Sequence, residues 1–242
     1  MGYFLSKLWK KLTNRGDHEY KIIIVGLHNS GKTTILYKLA LGEVIVTQPT
    51  IGSNVEEVQH QNVRLQVWDL GGQETLRSAW DAYYENAEAV IYVIDAAEAC
   101  SESLLVSKME FFNLLYHNDL KDAVVLVLAN KIDLPSARDA GSIAELFALH
   151  EIKDHDWHVQ GCCALTGQGL DQGLDWLTTK LTQKHSQKKG GSAAAESVTK
   201  LPDHDMKANL TDLTIEAHTL EGTGTIHDLE GAKSSQSDIK KK

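Results

Sequence analysis

The stretch Gly26-Leu27-His28-Asn29-Ser30-Gly31-Lys32-Thr33 decides how the chain is organised around it. Ahead of it, residues 20–25 form a run apolar but for Lys21, as expected of a parallel strand covered on both faces. Behind it, residues 34–40 are good helix formers. A strand, a glycine turn and a helix start bring backbone N–H groups together, and the helix dipole there favours negative charge. The stretch therefore reads as a phosphate cradle. Gly26 and Gly31 permit the tight turn, with Leu27, His28, Asn29 and Ser30 between them and Thr34 just behind, all at nucleotide-binding positions. Lys32 is placed to reach the β- and γ-phosphates, and the Thr33 hydroxyl to ligate Mg²⁺. Taken alone, the pattern also fits a structural glycine loop.

Motifs further along favour the phosphate reading. Pro49-Thr50-Ile51-Gly52 lies in a loop spanning residues 43–52, where the Thr50 hydroxyl could meet Mg²⁺ and its N–H the γ-phosphate. An ordinary turn is the other reading of Pro49-Thr50. Residues 54–60 and 63–68 read as two strands joined at Gln61-Asn62, the second alternating Val63, Leu65 and Val67 with Arg64 and Gln66, a hairpin that puts one antiparallel strand at a sheet edge. The second strand runs into Trp68-Asp69-Leu70-Gly71-Gly72-Gln73-Glu74. Asp69 is positioned to hold Mg²⁺ through water, Gly72 to offer its N–H to a γ-phosphate, and Gln73 to orient the attacking water. Residues 75–86 then read as a mobile element carrying Arg77, Trp80, Tyr83 and Tyr84.

Apolar strands at 89–94, 124–129 and 157–162 alternate with helices near 101–117, 141–150 and 169–183, the order of a doubly wound α/β sheet. At one strand end stands Asn130-Lys131-Ile132-Asp133. A carboxylate at Asp133 accepts both donors on one edge of guanine and would be left unpaired by adenine. Asn130 is placed for the other side of the base, and the Lys131 stem can pack over it. Cys163-Ala164-Leu165, after the last strand, sits where a backbone N–H would meet the guanine carbonyl. The nucleotide is thus read as GTP or GDP with Mg²⁺, and a phosphate-loop kinase or ATPase is disfavoured.

Composition narrows the class further. The chain has 242 residues, 42% of them hydrophobic, and a net charge of −9. Residues 1–16 carry four basic and no acidic side chains, whereas residues 17–184 carry 12 basic and 24 acidic ones. An acidic body with a basic tip argues against nucleic acid and for orientation toward an anionic surface. Three cysteines, two of them adjacent, do not make a disulfide framework. Residues 155–158 and Cys162-Cys163 lack the spacing of a metal site.

Residues 3–12 place Leu5, Leu8, Trp9 and Leu12 on one helical face. Met1-Gly2-Tyr3-Phe4-Leu5-Ser6 matches an acylation signal, so Gly2 is the expected lipidation site. One acyl chain gives marginal membrane binding, and an amphipathic helix supplies the second anchor. The other reading is a helix packed on the body. The domain reading is a helix within 1–17, a nucleotide domain at 18–184 and a disordered tail at 185–242. Residues 188–195 would be a linker; for 210–220 the other reading is a short helix formed on a partner.

The order and spacing of these signatures are similar to those of small GTPases. Pro49-Thr50-Ile51-Gly52, Trp68 to Glu74, Trp80 and the N-terminal glycine with its helix resemble the ADP-ribosylation factor and ADP-ribosylation factor-like family over about residues 1–183. Within it, Ser53-Asn54-Val55-Glu56-Glu57 and residues 152–167 resemble one branch. The resemblance implies a phosphate-loop small GTPase fold: a six-stranded, mostly parallel sheet with one antiparallel edge strand, flanked by helices. It also implies a monomer that alternates between a soluble GDP form and a membrane-attached GTP form. By the same resemblance, the strand pair at 54–68 is expected to slide and expel the N-terminal helix. The implied partners are an exchange factor, a GTPase-activating protein and effectors such as tethering factors. The implied place is the cytoplasm and the Golgi membrane, on its trans side. Three departures stand out, one being the 58 residues beyond 184, which are not part of the family pattern. His28 replaces the family's usual Asp, which opens the alternative of a GTP-binding scaffold with little hydrolysis. Ser53 replaces an aromatic that many members use, with Trp68 and Tyr83, to hold effectors.

Overall fold

A computed structural model describes residues 18–198, with side chains to residue 188. Gly2, the expected helix at 3–12 and the stretch at 210–220 lie outside the described residues. Strands β1 (Glu19–Val25), β2 (Ser53–His60), β3 (Val63–Leu70), β4 (Ala89–Asp95), β5 (Val124–Asn130) and β6 (Trp157–Gly161) form one sheet. Helices α1 (Lys32–Leu41), α2 (Glu74–Arg77), α3 (Ser101–Leu115), α4 (Ala140–Leu146) and α5 (Leu170–Val198) connect and flank them. The strand order is β2-β3-β1-β4-β5-β6. Only β2 and β3 pair antiparallel, with Ser53 opposite Leu70 and His60 opposite Val63. The edge hairpin and the doubly wound sheet read from the sequence are both present.

The apolar runs are explained by cover on both faces. In β1, Ile22 and Ile24 point into a core shared with Ile35 and Leu36 of α1 and Leu174, Leu177 and Leu181 of α5. Ile23 and Val25 point the other way, toward Phe111 and Leu114 of α3 and Phe147 beyond α4. Strands β4 and β5 split their side chains between the same two cores. Each fully buried Ile or Leu stabilises the fold by about 1.5–3 kcal/mol, so the central strands are held rigidly under the loops at their ends.

The hairpin turn, with Gln61 at φ 51°, is tied to α5. His60 Nε2 and Gln61 Nε2 both lie 2.7 Å from Asp175 Oδ1. One expectation is corrected at α5, which was read as ending near residue 183 with a linker at 188–195. The helix continues to Val198. Gly190 and Gly191 read as a break, but a glycine costs a helix only about 1 kcal/mol, and the flanking Lys, Gln and Ala residues favour it. No proline interrupts the chain between Pro135 and Pro202. Helix α4 is shorter than read: it stops at Leu146, and Ala148 at φ 52° starts a separate 3₁₀ turn at Leu149–Glu151.

Candidate functional site

The loop between β1 and α1 wraps as its glycines require. Gly26 has φ 143°, Asn29 φ 60° and Gly31 φ 94°. A Cβ on Gly26 would collide with the Val93 carbonyl, and one on Gly31 with the Asn130 amide. Lys32 opens α1 with its side chain turned back into the loop, where Nζ donates to the Leu27 carbonyl at 2.8 Å. Lys32 is 6% exposed. Burial lowers its pKa to about 8, with Asp69 pulling it up and Arg77 pushing it further down. A buried ammonium in a ring of loop N–H groups is strongly attractive to phosphate.

Three oxygen donors meet beside it. Thr33 Oγ1 donates to Asp69 Oδ2 at 2.6 Å, and Thr50 Oγ1 lies 3.0 Å from Thr33 Oγ1 and 3.3 Å from the same carboxylate oxygen. Asp69 is fully buried. Its Oδ1 has no hydrogen-bond partner among the described residues. Burial pushes the Asp69 pKa up, against the Thr33 hydrogen bond and the Lys32 charge, which lower it. Two hydroxyls and a carboxylate with an unused oxygen fit a hard divalent cation such as Mg²⁺.

Gly72 closes the site from the β3 side. A Cβ there would come within 2.5 Å of both the Gly26 carbonyl and Lys32 Nζ, so only glycine fits. Its carbonyl accepts from the His28 N–H at 3.0 Å and from Arg77 Nε at 3.3 Å. Arg77 also pairs with Glu110 of α3. Trp80, buried, donates Nε1 to the Gly71 carbonyl at 2.9 Å, and the Gly71 N–H donates to Gly52. Arg77 and Trp80 therefore hold the Gly71-Gly72 loop against the phosphate loop, a role their sequence context does not announce. Gln73 is exposed and stands with His28, Asn29, Thr34, Pro49 and Thr50 around one cleft of about 310 Å³. Trp68 and Tyr83 approach to 5.9 Å between ring centres.

At the base end the structure adds a clamp. Asn130 is 1% exposed. Its Nδ2 donates to the Ser30 carbonyl at 2.8 Å, and its Oδ1 accepts from the Ala164 N–H at 2.9 Å. One amide hydrogen remains for a base, since a primary amide carries two. The Ala164 N–H, read as a contact to guanine, is engaged with Asn130, so a base carbonyl would share it. Lys131, at φ 69°, is fixed by an ion pair with Asp95, Nζ to Oδ2 2.6 Å, which sets its stem across the strand ends. Cys163 is buried, while Asp133 and Leu165 are exposed.

The fold and this cleft define a phosphate-loop protein of the small GTPase class. The chain belongs to the ADP-ribosylation factor family, whose pattern matches residues 5–181. It is 50% identical over 186 residues to ADP-ribosylation factor-like protein 5 of Dictyostelium discoideum, covering 76% of this chain and all of that one. It is 47% identical to ADP-ribosylation factor-like protein 5A of Homo sapiens, over 75% of this chain and 98% of that one. Among solved structures, the small GTPase Arl6 BBS3 of Trypanosoma brucei, with bound nucleotide analogue GppNp, aligns at TM-score 0.64 and 30% identity. That match covers 69% of this chain and 99% of the other. The branch resembled by residues 53–57 and 152–167 is the one these protein 5 relatives represent. Membership implies a GTP-binding switch, peripheral to membranes, that works with exchange factors, activating proteins and effectors.

Proposed function

We propose that the protein is a membrane-recruited GTP switch with slow intrinsic hydrolysis of GTP to GDP. The observation that carries the reading is the gathering of Thr33, Thr50 and Asp69 beside buried Lys32. It draws the loop bearing Thr50 over the cleft, as a triphosphate form requires. Lys32 and the loop N–H groups of residues 26–34 hold the phosphates. Thr33 and Thr50 ligate Mg²⁺, with Asp69 acting through water; the ion, when bound, neutralises charge on the phosphates. Gln73 positions the attacking water. Asn130, Lys131, Asp133 and residues 163–165 select guanine. Arg77 is engaged with Gly72 and Glu110, so an activating partner supplies the catalytic arginine.

The GTP form attaches to Golgi membranes, on the trans side, through acylated Gly2 and the N-terminal helix, and binds effectors such as tethering factors. Trp68 and Tyr83 belong to the effector surface. His28 favours a second reading, a GTP-binding scaffold with little hydrolysis, because it lines the same cleft as Gln73. Single-turnover hydrolysis by wild type and His28→Asp, with and without an activating protein, separates the two. Equal rates support the switch. Hydrolysis by the Asp variant alone supports the scaffold. Failure of both to bind GTP would sink the reading altogether.

A further inference from the structure

At the opposite end of the central strands, three potential metal ligands converge from separate elements. His18 immediately precedes β1, Glu88 immediately precedes β4, and His185 lies on α5. One ligand atom from each lies within 4.8 Å of the others. His18 Nε2 is 2.8 Å from Glu88 Oε1 and 2.9 Å from Oε2. The His18 and His185 rings stack at 4.3 Å with 24° between their planes. Tyr20, nearly buried, meets both rings edge-on, at 4.6 Å from His18 and 6.0 Å from His185.

We propose that His18, Glu88 and His185 form a transition-metal site, suited to Zn(II), with water as the fourth ligand. Two imidazoles and a carboxylate are a known zinc ligand set. Tetrahedral zinc with bonds of about 2.1 Å sets its ligand atoms about 3.4 Å apart, which small side-chain rotations reach from the spacing seen here. Tyr20 confines both rings, as supporting groups around metal ligands do. An ordinary His–Glu ion pair needs only His18 and Glu88; the His185 ring stacked on His18 brings a second imidazole within reach of both. Four lysines line the same hollow, Lys21, Lys121, Lys184 and Lys188; of these, Lys21 donates to the Glu85 carbonyl at 2.6 Å and Lys184 to the Asp122 carbonyl at 2.9 Å.

His185 lies beyond residue 181, where the family match ends. A metal here would therefore join the residue that follows the N-terminal segment to the part of α5 outside the shared pattern. The site stands independently of the nucleotide reading.

The test uses the full chain, without an affinity tag, saturated with GDP and Mg²⁺ so that the phosphate cleft is occupied. Zn(II) is titrated by calorimetry, and Co(II) is followed by visible absorption. One Zn(II) per chain is expected, with a higher melting temperature and a tetrahedral Co(II) spectrum lacking thiolate charge transfer. Removal of a direct ligand should cost at least about tenfold in affinity, the lower end seen for groups that merely support one. His185→Ala and, separately, Glu88→Gln should each do so while leaving GDP affinity unchanged. His185 lies on the flank of a long helix, so its variant tests the site even if Glu88→Gln misfolds. No Zn(II) binding, binding unchanged in His185→Ala, or a thiolate band from the cysteines would each overturn the proposal.

Discussion

At the carboxyl ends of β1, β3 and β5 the chain places Gly26, Asp69 and Asn130; at the amino ends of β1 and β4 it places His18 and Glu88, with His185 stacked on His18 from α5. Both ends gather polar side chains against a rigid sheet. They do so differently. The carboxyl end is built from contiguous loops, because a loop must wrap a ligand and its glycines and donors then fall close in sequence. The amino end is built from single residues far apart in the chain. The first kind of site leaves a motif, and the second leaves none.

The largest effect expected at the carboxyl end follows from Lys32. Lys32→Ala should lower GDP and GTP affinity by at least about 100-fold, or about 2.8 kcal/mol, measured with a fluorescent nucleotide. The His18 end should keep its metal affinity in that variant. Loss of both would mean the two ends are not independent. Next, Gln73→Leu should reduce activator-stimulated GTP hydrolysis about 100-fold with little change in GTP affinity. Unchanged turnover would remove Gln73 from its assigned role.

A smaller effect is expected from pH. The Lys32 pKa is lowered to about 8 in the folded protein, from an ordinary 10.5. Between those values the unfolded chain binds a proton that the folded one does not, so stability rises with pH across the window. Nucleotide affinity should fall over the same window, because the neutral amine attracts phosphate less. Melting curves and titrations at pH 7 to 10 should show these opposite trends, and Lys32→Ala should abolish both. The smallest effect is at the hairpin tip. Asp175 is half exposed. Asp175→Ala should loosen β2–β3 from α5 by about 0.2–1 kcal/mol, altering the ratio of GTP to GDP affinity only a few-fold.

These contrasts explain what the sequence disclosed. Strand positions and the edge hairpin were legible because alternation and apolar runs are local. So was the grouping of Gly26 to Thr33, Asp69 and Asn130 to Asp133 at one end of the sheet, because motifs of that kind keep a fixed spacing. The Lys131–Asp95 pair was not, since nothing local marks Asp95 as more than the end of a strand. The engagement of the Ala164 N–H by Asn130 was hidden too, because it joins two loops that meet only after β5 and β6 pair. The length of α5 was misjudged where two glycines outweighed the helix formers around them. His18, Glu88 and His185 carried no signal at all, each being unremarkable in its own neighbourhood.

Asn130 has one more consequence. By bonding the Ser30 carbonyl and the Ala164 N–H at once, it makes the loop proposed to hold phosphate and the loop proposed to read the base a single mechanical part. Guanosine bound alone should stiffen the phosphate loop, and pyrophosphate bound alone should prepare the base pocket. The intact nucleotide should then bind more tightly than its two fragments predict. The protein would distinguish GTP from a mixture of its pieces, and Asn130 would be where that distinction is made.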